Sequence, residues 1–221
     1  MNRSIPNWMT SALLRVHARA ARTPYFDLPG YMLRNWVLGA RSVERNRDNP
    51  AWDQAEPPCA GVLYRWICHH VAIRAHTILR SDRDRHLHDH PSWSVSIVLD
   101  GGYWEVFKPT QFALTCPLMY RAALDTIKQS WIAPESAGDH EYLNAFGIYW
   151  RGPGAVVVRR AGDFHRLILP RATVAKSIFV MGRRTNSWGF LTQHGKVGWR
   201  VYLASPDAVK PHRDETSTTS Q

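Results

Sequence analysis

Between Arg85 and Pro91 the chain reads Arg-His-Leu-His-Asp-His-Pro, which places three imidazoles on alternate positions. In an extended strand the side chains at i and i+2 point the same way, so His86, His88 and His90 share one face. Two neutral imidazoles on an inward face make a natural pair of metal ligands, and a third ligand then has to come from another strand. His165 is the best candidate, because Ala161-Gly162-Asp163-Phe164-His165-Arg166 opens an apolar run after a glycine turn. Asp89, set between two of the histidines, can accept an imidazole N–H and orient the ring. Glu105 has two readings on alternation alone: a fourth ligand if it faces inward, or an exposed edge carboxylate. Tyr103 and Arg166, with Arg74 and Tyr149, are candidates to touch an anionic substrate, although alternation turns Arg166 away from His165 in a regular strand.

The elements expected to position these groups are mostly strands. From Ala60 onward, short apolar, β-branched and aromatic runs follow one another at close spacing: 61–68, 71–79, 93–99, 103–107, 146–150, 155–159, 164–169, 177–182 and 198–203. Gly101-Gly102 between two such runs predicts a hairpin, and Gly152-Pro153-Gly154 a second turn. The pattern predicts an all-β antiparallel sandwich or jelly roll over residues 59–205. Within it, 108–144 has weak periodicity and reads as a long insertion or lid-like loop. Trp188 and Phe190 read as packing, Arg183-Arg184 as a solvated pair, and 206–221 as a polar, disordered tail.

Residues 1–58 read as a basic, partly helical extension. A helix from Trp8 to Arg22 sets Trp8, Ala12, Val16 and Ala20 on one face and Arg15, Arg19 and Arg22 on the other. It is broken by Pro24 and by Leu28-Pro29-Gly30, after which Tyr31–Leu38 forms a short aromatic-rich piece. The 221 residues carry a formal net charge of +10, and the first fifty hold Arg3, Arg15, Arg19, Arg22, Arg34, Arg41, Arg45 and Arg47 against Asp27, Glu44 and Asp48. About half of the excess charge is therefore N-terminal, which raises nucleic acid or an acidic partner as a question. No uncharged apolar run approaches the ~18 residues of a membrane span, so integral membrane association is not expected. Three cysteines, Cys59, Cys68 and Cys116, form neither a disulfide framework nor a zinc ribbon, and a reducing, cytoplasmic setting is expected.

The histidine spacing resembles that of the cupin superfamily, whose small jelly-roll barrels carry two sequence motifs. With His88 and His90 as the His-x-His pair, the motif's closing glycine falls on Gly101 or Gly102; with His86 and His88 it falls on Leu99 or Asp100 and fails. The motif's opening glycine is replaced by Asp82, and its usual glutamate position falls on Ser94 or Val95. In the second motif Gly154, Gly162 and His165 match, whereas the proline and asparagine positions do not. The string His88-Asp89-His90-Pro91, Gly101-Gly102-Tyr103-x-Glu105, Gly162-Asp163-x-His165-Arg166, Trp188-Gly189-Phe190 and Gly198-Trp199 is similar to a group of bacterial and phage cupin proteins, over roughly residues 60–203.

That resemblance implies a cupin-type double-stranded β-helix and a metal site at His88, His90 and His165. It implies a divalent cofactor, Fe(II) first and Zn, Ni or Cu as alternatives. Within the superfamily a three-histidine iron site resembles that of thiol dioxygenases, so the expected activity is a mononuclear non-haem iron dioxygenase acting on a small polar substrate. The alternatives are an epimerase or isomerase on the same scaffold, a non-enzymatic ligand-binding or structural cupin, and nucleic-acid association through the N-terminal region, with homodimerisation open in each.

Overall fold

A computed structural model describes residues 3–22, 31–38, 66–67, 70–82, 86–129 and 137–204. The region expected as strand 61–68 lies largely outside the described residues, as do Pro24, the Leu28-Pro29-Gly30 break, Cys59, Cys68 and the tail after Pro206. Two six-stranded antiparallel sheets face each other. The first contains β1 (Arg3–Ser4), β2 (Met32–Leu38), β3 (Ala72–Ile78), β5 (Ser94–Asp100), β8 (Ala155–Arg159) and β10 (Ala175–Met181), in the order β1-β8-β5-β10-β3-β2. The second contains β4 (Leu87–His88), β6 (Tyr103–Phe107), β7 (Ile148–Arg151), β9 (His165–Ile168), β11 (Gly189–Thr192) and β12 (Gly195–Gly198), in the order β12-β11-β4-β9-β6-β7. From β3 to β6 and again from β7 to β11 the chain changes sheet at every strand, as it does when a jelly roll winds around a single lumen. The fold is a jelly-roll barrel.

This winding corrects the reading of Gly101-Gly102. The two glycines do not close a hairpin; they carry the chain from β5 in one sheet to β6 in the other. Both have positive φ (67° and 146°), and a Cβ on Gly101 would stand 2.1 Å from the Val174 carbonyl oxygen, so the corner requires glycine. Gly152-Pro153-Gly154 makes the equivalent crossing from β7 to β8.

Helices cover the outer face of each sheet. On the first, α1 (Asn7–Ala20) buries His17 and Ala20 and packs Leu13 and Leu14 over Ala75, Leu99 and Ile178. The buried stripe is therefore not the expected one: Trp8 and Val16 are exposed, while Arg15, Arg19 and Arg22 face solvent as anticipated. Within the N-terminal segment, β1 pairs with β8 and β2 pairs with β3, so these two pieces belong to the first sheet. On the second sheet, the described part of 108–144 is largely helical rather than a loop: α2 (Gln111–Thr115), α3 (Pro117–Gln129) and α4 (Ala137–Ala145) follow β6. Ala123, Ile127, Leu143 and Phe146 pack on Trp104, Val106, Ile148 and Ile168, which buries the outward face of β6 and β9. The expected strand 198–203 is instead the end of β12 followed by α5 (Trp199–Ala204), whose Tyr202 stacks on Phe190 at 4.0 Å. Among the described residues no helix is long and apolar enough to cross a membrane.

Two outcomes follow from these contacts. The Thr110 side chain caps α2 by accepting from Ala113 N at 3.1 Å. Thr110→Ala is expected to cost about 1 kcal/mol, read as a lower urea midpoint. The second concerns acid. His17 Nε2–H donates to the His76 carbonyl at 3.1 Å. Burial holds the His17 imidazole below its ordinary value of 6.5, with Lys176 adding to the effect and the carbonyl and Asp100 opposing it. Burial, Arg34 and Arg74 hold His76 well below the same value. The unfolded chain then takes up protons first as pH falls, so this stability is complete above about pH 6.5 and is lost progressively below it. Urea midpoints should fall between about pH 7 and 5.5, less steeply in His17→Gln.

Candidate metal centre

The alternation of β6 and β9 decides what enters the lumen. On β6, Tyr103, Glu105 and Phe107 point between the sheets, while Trp104 and Val106 meet the helices; on β9, His165 and Leu167 point in, while Ile168 packs outward. Register pairs His88 with His165 across β4 and β9 and Phe107 with His165 across β6 and β9. His90 lies two residues beyond His88, just past the end of β4, and keeps to the same side.

His88, His90 and His165 thus come together, with their nearest ligand atoms all within 4.8 Å of one another. His90 Nε2 and His165 Nε2 are 2.9 Å apart. Two imidazoles at ~2.1 Å from one ion have nitrogens about 3 Å apart when they bind at right angles and about 3.4 Å apart when they bind tetrahedrally. The observed pair falls at the right-angle end, and the all-nitrogen donor set fits a first-row divalent ion. Burial and the Arg159 guanidinium push His165 down to about 4, against the opposing pull of Glu105. Burial, His165 and His88 keep His90 well below its ordinary value. Both rings are neutral near pH 7, each with a lone pair to offer.

Glu105 faces inward and is fully buried, which removes the edge-carboxylate reading, but it does not point a free oxygen at the histidines. Its Oε1 accepts from His165 Nδ1 at 2.9 Å and from Arg159 Nε at 2.6 Å, and its Oε2 accepts from Arg151 Nε at 2.8 Å. Burial alone would raise this carboxyl; Arg159, His165 and Arg151 outweigh it and hold Glu105 far below the usual carboxylate range. Glu105 is thereby placed behind His165, where it fixes the tautomer with a proton on Nδ1 and turns the Nε2 lone pair towards His90. The 2.9 Å His90–His165 contact then has His90 Nε2–H as donor.

The other expected positions resolve differently. Asp89 is buried but orients no imidazole: it accepts from Gly189 N at 2.8 Å and Asn186 Nδ2 at 3.1 Å, and it pairs with Lys196, tying β11 and β12 to the histidine segment. Tyr103 lies in the core with Val98 and Leu167 and takes a hydrogen bond from Arg159, so it supports the charged network. Arg166 lies on the outward side of β9, beside Tyr120 of α3. His86 bonds Tyr202 through Nδ1 at 2.9 Å and stands apart from the triad. Tyr149 lies beside Phe107 and under the Arg151 guanidinium. Arg183 and Arg184 are exposed.

Sequence reasoning missed three residues here. Arg159 and Arg151 hold Glu105, and Asp82 brings a carboxylate oxygen to 3.7 Å from His88 Nδ1 while accepting from Leu167 N at 2.7 Å and bonding the Tyr31 hydroxyl. One signal was available: Arg159 sits on the same strand face as Val157, and an arginine on an inward face demands a buried counter-ion.

No protein-family model matches the chain, and no curated protein matches its sequence. Solved structures that superpose on it include the DMSP lyase DddQ from Ruegeria pomeroyi, at 11% identity and a TM-score of 0.30, covering 52% of this chain and 39% of that one. The polyketide cyclase RemF from Streptomyces resistomycificus has 11% identity and a TM-score of 0.38, covering 83% and 88%. A cupin 2 conserved barrel domain protein from Rhodopseudomonas palustris has 11% identity and a TM-score of 0.37, covering 78% of each. The chain spans about two fifths of the lyase's length. The fold assignment made above rests on the sheet topology.

Proposed function

We propose that the protein is a metal-dependent cupin-type enzyme in which His88, His90 and His165 hold one divalent ion, Fe(II) in the first instance, beside a small polar substrate in the lumen. The observation that carries this reading is the convergence of three imidazoles, one of which, His165, is held by a buried carboxylate on its Nδ1 with its Nε2 lone pair turned towards the others. An ion with three protein ligands supplies Lewis acidity and, as iron, access to dioxygen. The chain supplies the rest. Glu105 accepts the His165 Nδ1 proton and keeps the ring oriented, and Arg159 and Arg151 keep that carboxylate charged and immobile. Phe107, Phe179 and Phe190 flank the histidines at 6.3, 5.6 and 6.2 Å between ring centroids, an apolar collar that limits water.

The test is oxygen uptake by Fe(II)-loaded protein with a panel of small thiols and carboxylic acids, with His165→Ala as control. Uptake that depends on both the panel compound and His165 supports the oxygen-activating reading. Firm ion binding with no uptake contradicts it, and favours an ion that only stabilises the barrel.

A further inference from the structure

The outer face of the first sheet carries a helix whose solvent side combines an indole with cations. At about 100° per residue, Trp8, Arg15 and Arg19 of α1 fall within roughly 40° of arc, opposite the buried His17. Arg22 continues this line in the turn after the helix, and Ala12 and Val16 lie beside it, also exposed. Apolar surface continues on the same side of the sheet. Ile178 packs under α1, so the rows through its neighbours two residues away on β10, Leu33–Thr77–Lys176 and Val158–Val95–Val180, face outward with it. Trp8 is 69% exposed, Val158 62% and Leu33 40%.

Charge says what this face fits. The helix contains no acidic residue, and Arg15, Arg19 and Arg22 are exposed with no acidic partner among the described residues. Asp100, the carboxylate that acts on the helix through His17, is already paired with Lys176 at 2.8 Å. In a chain of net charge +10, two copies of a cationic face repel each other, so self-association leaves it uncovered. An anionic partner matches the guanidiniums. The exposed aliphatic groups of Val16, Leu33 and Val158 gain nothing from a phosphate backbone, whereas they and the Trp8 indole are stabilised at a hydrocarbon boundary.

We propose that α1 and the sheet face around it dock on the surface of an anionic lipid bilayer, with Trp8 at the level of the headgroups and Arg15, Arg19 and Arg22 on lipid phosphates. The contact is peripheral: α1 keeps its buried side on Ala75, Leu99 and Ile178 and presents only its outer side. The histidine triad lies in the lumen, on the opposite face of the sheet, so the docking face stands whether or not the barrel holds an ion.

The experiment is co-flotation of the full chain with vesicles of phosphatidylcholine alone, or with about a third phosphatidylglycerol, at about 0.1 M and about 0.5 M salt. Binding is expected to the anionic vesicles only, at least about tenfold weaker at the higher salt. Each cation at such a surface contributes about 1 kcal/mol, or about fivefold, so Arg15→Gln with Arg19→Gln and Arg22→Gln should weaken partition about a hundredfold. Trp8→Ala should weaken it about tenfold at unchanged charge. These side chains are exposed, so the variants should keep the wild-type thermal midpoint. Lys108→Gln with Arg121→Gln and Lys128→Gln removes the same charge from exposed positions beside the second sheet, and should change partition by less than about threefold. The proposal is overturned if wild type floats with neither vesicle, if this control lowers binding as much as the triple arginine variant, or if Trp8→Ala binds as wild type does. Binding to a single-stranded RNA that the triple variant loses, with no flotation, also overturns it and gives the face to nucleic acid.

Discussion

Glu105→Ala is expected to lower folding stability by about 3–5 kcal/mol, the cost of leaving a buried charge without its partner. The charge in question is Arg159, which is 2% exposed and donates to Glu105 Oε1 and, through Nη1, to Ser96 Oγ. Removing the carboxylate strands that guanidinium in the lumen and also leaves His165 Nδ1 without an acceptor. For a chain of this size such a loss corresponds to a fall in thermal midpoint of roughly 10 °C or more. Two controls separate charge from shape. Glu105→Gln keeps the volume and one acceptor but loses the charge, so it should recover only part of the loss. Removing both charges in Glu105→Leu with Arg159→Met should destabilise less than Glu105→Ala alone, because no ion is left unpaired. Thermal midpoints within 2 °C of wild type for Glu105→Ala would show that the network carries little energy.

Metal loading is expected to produce the second large effect, in the opposite direction. An ion that binds the folded chain and not the unfolded one stabilises by about 2.7 kcal/mol at a hundredfold excess over its dissociation constant. At the usual 2–4 °C per kcal/mol for a chain of this length, the midpoint should rise by roughly 5–10 °C. The gain should vanish on chelation and be absent from His90→Ala and His165→Ala. Glu105→Gln should bind the ion about 10- to 100-fold more weakly, since the carboxylate acts on the ion only through His165. His86→Ala should keep the full metal-dependent gain, because His86 bonds Tyr202 and not the triad.

The histidine spacing was legible because His88 and His90, two residues apart, keep to the same side as period two requires. On β6 the same rule left Glu105 open, since residues 103–106 are all buried, one face by the lumen and the other by the insertion helices. A strand covered on both sides carries no alternation to read. The insertion read as a loop because Cys116-Pro117 interrupts the helical period between α2 and α3. Gly101-Gly102 read as a hairpin because turn chemistry reports a local reversal and is silent on which sheet the next strand joins. The N-terminal segment read as an extension because more than thirty residues separate β2 from its partner β3, and those before Ala60 carry no strand signal. Asp89 illustrates a different limit. Its sequence neighbours are two histidines, but the donors that claim it, Gly189, Asn186 and Lys196, lie about a hundred residues away. Long-range partners of this kind decide a carboxylate's role, and adjacency in the chain does not reveal them.

The central claim is that three imidazoles of this barrel hold one metal ion. Its most direct test is the metal content, by elemental analysis, of protein purified without added metal and again after loading and gel filtration, compared with His165→Ala treated identically. About one divalent ion per folded wild-type chain, and at most about a tenth of that in the variant, is the expected result. A folded wild-type chain that retains no ion after loading, or a variant that retains as much as wild type, would contradict it.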